Sequence, residues 1–158
     1  MNTSALLSER LSDEFTGDSR TSGTFRLGEG GAVMLEEHRS VRRLAAMLEH
    51  ACLAPAWSVD RVLTLLGELA ALAEEHFAHE ESGGYMSETL ESCPWQAPTV
   101  ARLLREHAFM REELGALLAD PRAVGRARVL ALLELLGAHE RTENELVQEQ
   151  WLRDVGGS

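Results

Sequence analysis

The chain has 158 residues, 44% of them apolar and 5% aromatic, with a net charge of −11 and a pI near 5.0. That length suits one domain with a core of its own. The acidic balance argues against a nucleic-acid backbone or an anionic membrane as partner, and no apolar run approaches the roughly 20 residues a membrane span needs.

Leu and Ala dominate the apolar residues, and that balance favours helices over strands. The acidity is mostly Glu spread through helical patterns, which reads as solvated surface. Cys52 and Cys93 stand far apart with no CxxC, so neither a zinc ribbon nor a thioredoxin motif is supported, and two reduced thiols in a cytoplasmic protein are expected. Met1 to Glu14 lacks a basic stretch followed by an apolar one, so no signal peptide is predicted.

Residues 1–30 are rich in Ser, Thr, Gly and Asp with little periodicity, and read as a flexible or partly ordered tail. The predicted domain spans 31–153, with 154–158 a frayed end. Its first helix runs from about Ala32 to Leu53, with Met34, His38, Val41, Ala45, Leu48 and Cys52 on one stripe. Pro55 stops it. Ser58 is the expected N-cap of a second helix, whose stripe of Val62, Leu65, Leu66, Leu69, Leu72 and Ala73 continues to His76 and Glu80 before Ser82-Gly83-Gly84.

A short helix over Tyr85 to Glu91 is expected in the connection that follows. The third long helix carries Pro98 in its first turn, and a stripe of Val100, Leu103, Leu104, His107, Met110, Leu114, Leu117 and Leu118. Asp120-Pro121 predicts a stop and a restart, with a fourth helix from there to about Trp151. Its face holds Val129, Leu132, Leu136, His139, Glu143 and Leu146. The sequence therefore predicts an all-α fold, an up-down-up-down four-helix bundle.

With a rise of about 1.5 Å per residue, His38 lies roughly 9 Å into the first helix, His76 roughly 8 Å before the end of the second and His107 roughly 13 Å into the third. Those helix ends share one end of such a bundle. His139, roughly 18 Å before the end of the fourth helix, joins them if that helix overhangs. A lone histidine on an apolar stripe is more often a packed core residue than a ligand. Here four helices each bring one inward histidine to about one level, and two add a Glu one turn on. The candidate metal ligands are thus His38, His76, Glu80, His107, His139 and Glu143. Four imidazoles and two carboxylates are too many for one tetrahedral zinc and suit two metals sharing two carboxylates. The Glu-x-x-His of ferritin-like sites and the HExxH of zincins are both absent.

His38 in Glu37-His38-Arg39, the run HFAHEE at 76–81, His107 in REHAFM and His139 with Glu143 in HERTE together resemble the hemerythrin-like, or HHE cation-binding, domain family. The similarity covers about residues 32–150. It implies a hemerythrin-like four-helix bundle holding two iron ions, bridged by the two carboxylates and by an oxo or hydroxo group. It also implies a protein that binds dioxygen, peroxide or nitric oxide for sensing, scavenging or storage. Two departures stand out. Oxygen-carrying members have a histidine four after the first on the third helix, where this chain has Arg111. Their last carboxylate stands five after the final histidine, at Asn144 here, so the role passes to Glu143. A missing histidine opens a coordination position, which makes a di-iron redox enzyme the alternative; a metal-independent helical interaction module is the third reading.

Residues beside the ligands have plainer expectations. His79 reads as a flanking group and His50 as structural. Glu81 and Glu140 read as solvated, Tyr85 as a capping aromatic near the open end of the site, and Trp57, Trp95 and Trp151 as plugs of the bundle ends. Whether the protein is an enzyme, and its oligomeric state, do not follow from the sequence.

Overall fold

In a computed structural model, residues 29–156 are described. The elements are α1 (Glu29–Leu53), α2 (Val59–Glu81), α3 (Tyr85–Ser92), α4 (Ala97–Ala119) and α5 (Arg126–Gly156), with single 3-10 turns at Pro94–Gln96 and Pro121–Ala123. Among the described residues there is no strand. None of the described helices is long and apolar enough to cross a membrane.

The helix ends follow local chemistry. Ser58 caps α2, its Oγ accepting from the Arg61 backbone N–H at 3.3 Å. Gly83 after α2 has φ 100°, a conformation that favours glycine and lets the chain reverse into α3. The Asp120-Pro121 signal marks a turn and not the start of the last helix. Asp120 Oδ1 accepts from the Arg122 N–H at 3.0 Å, closing one 3-10 turn. Val124 is then extended, and the helix begins only after Gly125, whose carbonyl takes the first bond from Val129. At its far end α5 passes both the expected stop near Trp151 and the frayed end expected from 154, and continues to Gly156. The tail expected over 1–30 lies mostly outside the described residues, but Glu29 and Gly30 already belong to α1.

α1, α2, α4 and α5 form a helical bundle in which α1 packs on α2, α2 on α4, α4 on α5 and α5 on α1. Cross-helix contacts give the directions. On α1 and α5, Arg42 meets Glu140 while Arg126 reaches the Ala54 carbonyl. On α4 and α5, Arg102 meets Thr142, Glu106 meets His139 and Glu113 meets Arg128. Rising numbers on one helix pair with falling numbers on the next, so these neighbours are antiparallel.

Two apolar clusters fill the interior. The larger one holds Val41, Leu48, Leu66, Leu69, Phe77, Met110, Leu117, Val129 and Leu136, among others. Each such side chain contributes about 1.5–3 kcal/mol by leaving water. The smaller one, Met86, Val100, Leu103 and Leu146 with Tyr85 against it, lies where α3 folds over the bundle. On α4 the change from one cluster to the other falls between Leu103 and Met110, and on α5 between Leu136 and Leu146. His107, His139 and Glu143 occupy those gaps, so a polar layer is sealed between two dry ones. Trp57 packs against the larger cluster as expected. Trp95 does not plug an end, being 51% exposed. The Trp151 side chain lies outside the described residues.

Candidate metal centre

All six predicted ligands come together, and each is buried. α1 supplies His38, α2 His76 and Glu80, α4 His107, and α5 His139 and Glu143. The pairs on α2 and α5 meet because residues four apart lie over one another on a helix. His76 Nε2 stands 3.3 Å from Glu80 Oε1, and His139 Nε2 stands 2.9 Å from Glu143 Oε1.

The donors sort into two groups, His38, His76, Glu80, Glu143 and Glu80, His107, His139, Glu143, the ligand atoms of each lying within 4.8 Å of one another. Both carboxylates belong to both groups, and each gives one oxygen to each side. Glu80 turns Oε1 toward His76 at 3.3 Å and His38 at 3.9 Å, and Oε2 toward His107 at 3.3 Å. Glu143 turns Oε2 toward His38 at 3.2 Å and His76 at 3.9 Å, and Oε1 toward His139 at 2.9 Å and His107 at 3.8 Å. Two histidine pairs thus face each other across two shared carboxylates.

The donor set fits cations. His38 Nε2, His76 Nε2, both Glu80 oxygens and Glu143 Oε2 are buried without a hydrogen-bond partner among the described residues. Buried polar atoms left so are costly, by about 1–3 kcal/mol each. Charge points the same way. Burial, and then the neighbouring Glu143 carboxylate, push the Glu80 pKa up to about 11. Burial would raise Glu143 too, but the four imidazoles around it, His107, His139, His38 and His76, outweigh it and hold that carboxyl well below its ordinary range. Burial would lower the His76 and His139 pKa values. Glu143 and Glu37 around His76, and Glu143 and Glu106 around His139, raise them instead. A proton on Glu80 therefore does part of what a bound cation would do. The buried His/Glu groups can hold metal ions.

Behind the ligands lies a second ring of carboxylates, two of which, Glu81 and Glu140, were expected in solvent. Glu37 Oε2 meets His76 Nδ1 at 3.1 Å, Glu81 Oε1 meets His107 Nδ1 at 2.9 Å and Glu106 Oε2 meets His139 Nδ1 at 2.8 Å. Glu140, buried at 4% exposure, is the carboxylate on the His38 side. Each of these carboxylates is next in sequence to a ligand on its own helix, and three of them, Glu37, Glu81 and Glu106, bond the histidine of the next helix around. A residue one step from an inward-facing one sits about 100° away on the helix, at the seam with its neighbour. The expectation that Glu140 is solvated fails for that reason, while Glu81 stays exposed as expected and still reaches His107. Three of the four also have an arginine behind them, Arg111 on Glu81, Arg102 on Glu106 at 3.7 Å and Arg42 on Glu140 at 3.3 Å, and Glu37 meets the His79 imidazole. Such outer hydrogen bonds fix the tautomer and orientation of a ligating imidazole.

The remaining neighbours find places of their own. Arg111 does not enter the site. It lies on the flank, its guanidinium bonded to Glu74 at 2.7 Å and to Glu81 at 2.8 Å, and 5.3 Å from the Phe77 ring centroid. Phe77 in turn stacks on His107 with centroids 4.0 Å apart. His79 flanks the site as expected and His50 is exposed, away from it. Tyr85 is more than a cap: its hydroxyl donates to Glu143 Oε1 at 3.1 Å. Gly84 makes that approach possible, since a Cβ there would lie 2.6 Å from the His79 carbonyl oxygen and 3.0 Å from Glu80 Cα. Both are backbone atoms of α2, so Gly84→Ala must push α3 off the end of α2. A loss of about 1–3 kcal/mol is expected from that overpacking, read from the denaturant midpoint.

Compared with known proteins, the chain matches no family model, no curated protein and no solved structure.

Proposed function

We propose that this chain is a hemerythrin-like, non-haem di-iron protein that binds dioxygen, peroxide or nitric oxide as a sensor, scavenger or store. The observation that carries this reading is the division of the Glu80 and Glu143 oxygens between two histidine pairs. A single ion would use one side and leave the other pair of imidazoles buried without purpose. Mixed imidazole and carboxylate donors suit iron among the metals that histidine binds. Bound iron would supply redox-active positions for a small ligand. The chain's own residues do the rest: they fix the donors on rigid helices, orient them through the outer carboxylates and keep bulk water out with two apolar layers.

Reconstitution with ferrous iron under nitrogen, followed by metal analysis, tests the reading. Two irons per chain are expected, one for each of the two donor groups. A value of one or less would sink the dinuclear assignment. Azide or oxygen added to the loaded protein is expected to change its absorption, and His107→Ala to weaken that band.

Turnover of peroxide or nitric oxide is a second reading. Each position has two imidazoles and two carboxylate oxygens, leaving room for further ligands. Steady-state assays against free iron decide it, since turnover no faster than free iron leaves a binding protein.

A further inference from the structure

The outer ring is not uniform, and its one open link falls on a particular side. His107 and His139 both have Nδ1 hydrogen-bonded to a carboxylate, Glu81 at 2.9 Å and Glu106 at 2.8 Å. Arg111 grips both Glu81 oxygens, at 2.8 and 3.3 Å, and Arg102 pairs with Glu106. Phe77 lies flat on His107 and edge-on to His139, with centroids 4.0 and 5.8 Å away. Orientation, tautomer and ring plane are therefore set in advance on this side.

The other side is less constrained. His76 has its carboxylate, Glu37, but behind Glu37 stands no arginine, only the His79 imidazole, which is 54% exposed. At His38 the link is not made: among the described residues Nδ1 has no hydrogen-bond partner, and neither has Glu140 Oε1. Glu140 leans instead on Arg42. A surface cleft of about 110 Å³ between α1 and α2, lined by Glu36, Glu37, Ser40, Glu75 and His76, also runs up to this side. His76 forms part of its wall, while the cleft lining includes neither His107 nor His139.

We propose that the two metal positions are inequivalent, and that the His107/His139 position fills first and holds its ion more tightly than the His38/His76 position. The inference rests on the dinuclear reading above. Both positions draw on the same two carboxylates, so the difference lies in how firmly the imidazoles are held. Outer partners of a ligating histidine are worth about 10–100-fold in metal affinity. One position has both such links and the other has one.

Anaerobic titration of the apo full-length chain with cobalt(II), followed by calorimetry, tests this. Wild type is expected to take up two equivalents in separable steps, one for each group. His38→Ala is expected to remove the weaker step and His139→Ala the tighter one. Glu81→Gln, a change at a side chain 32% exposed that the fold tolerates, is expected to weaken the tighter step about 10–100-fold. Loss of the tighter step in His38→Ala, identical isotherms for the two histidine variants, or no change in Glu81→Gln would each overturn the inference. A wild-type total of one equivalent would instead remove the dinuclear reading, and the inference with it.

Discussion

Stripping the metal-loaded protein with a chelator is expected to lower its melting temperature by on the order of 15 °C. An ion that binds only the folded chain stabilises it by about 4 kcal/mol at a thousandfold excess over its dissociation constant. A domain of this size shifts by about 4 °C per kcal/mol. The structure gives a reason for strong coupling. Without cations, the sealed layer must keep Glu80 protonated, its pKa pushed up to about 11 by burial and Glu143, and must hold the His107 and His139 Nε2 atoms 2.9 Å apart. The melt should stay cooperative after stripping, because the larger apolar cluster, which meets this layer at Phe77, is built of side chains that ligate no metal. A protein whose midpoint is the same with and without chelator would not have a metal-built core. Circular dichroism melts at matched protein concentration make the comparison.

Much of this site was open to sequence reading, and the reason is periodicity. His38, His76, His107 and His139 each continue an apolar stripe, so their inward direction follows from the same spacing that predicts the helices. Counting rise along each axis then set them at one level. The fourth histidine needed α5 to overhang, and α5 does, running to Gly156.

The outer carboxylates were not legible in the same way. Glu37, Glu81, Glu106 and Glu140 lie off the stripe, where a Glu is ordinarily solvated. What buries or engages them is the neighbouring helix, and a helical wheel does not contain it. A signal was present nonetheless: a Glu stands beside a ligand on all four long helices, at 37, 81, 106 and 140. Once the ring order of the helices is known, that repetition becomes a circuit. Tyr85 was hidden for a related reason. Its reach to Glu143 depends on α3 folding back at Gly83 and Gly84, a turn whose direction the sequence leaves open.

Arg111 shows what a substitution within a pattern leaves undecided. Its position four after His107, where a histidine is missing, left the direction of its charge open. In the structure the long side chain turns to the flank, because Glu74 and Glu81 on α2 offer it partners there. An Arg left unpaired in the dry layer would be far more costly. Its influence on the centre passes through Glu81 and Phe77, which both touch His107.

On the di-iron reading, Glu143→Gln is expected to cut iron from two per chain to one or fewer and to shrink the chelator-dependent shift in melting temperature to match. Glu143 is the most shared group in the layer: Oε2 serves His38 at 3.2 Å and His76 at 3.9 Å, Oε1 serves His139 at 2.9 Å and His107 at 3.8 Å. The amide has nearly the same shape but only one oxygen. Whichever way it turns, one side of the centre loses an anionic donor and gains an N–H₂ group, which cannot ligate and repels a cation. The stripped variant is expected to melt within a few degrees of stripped wild type, since an uncharged group there also relieves the repulsion that forces a proton onto Glu80. That contrast separates a lost metal from a lost fold. If the variant still holds two irons, the shared-carboxylate geometry does not bind them; if its stripped form collapses, Glu143 is a structural residue first. Metal analysis and paired melts on the same preparations distinguish these results.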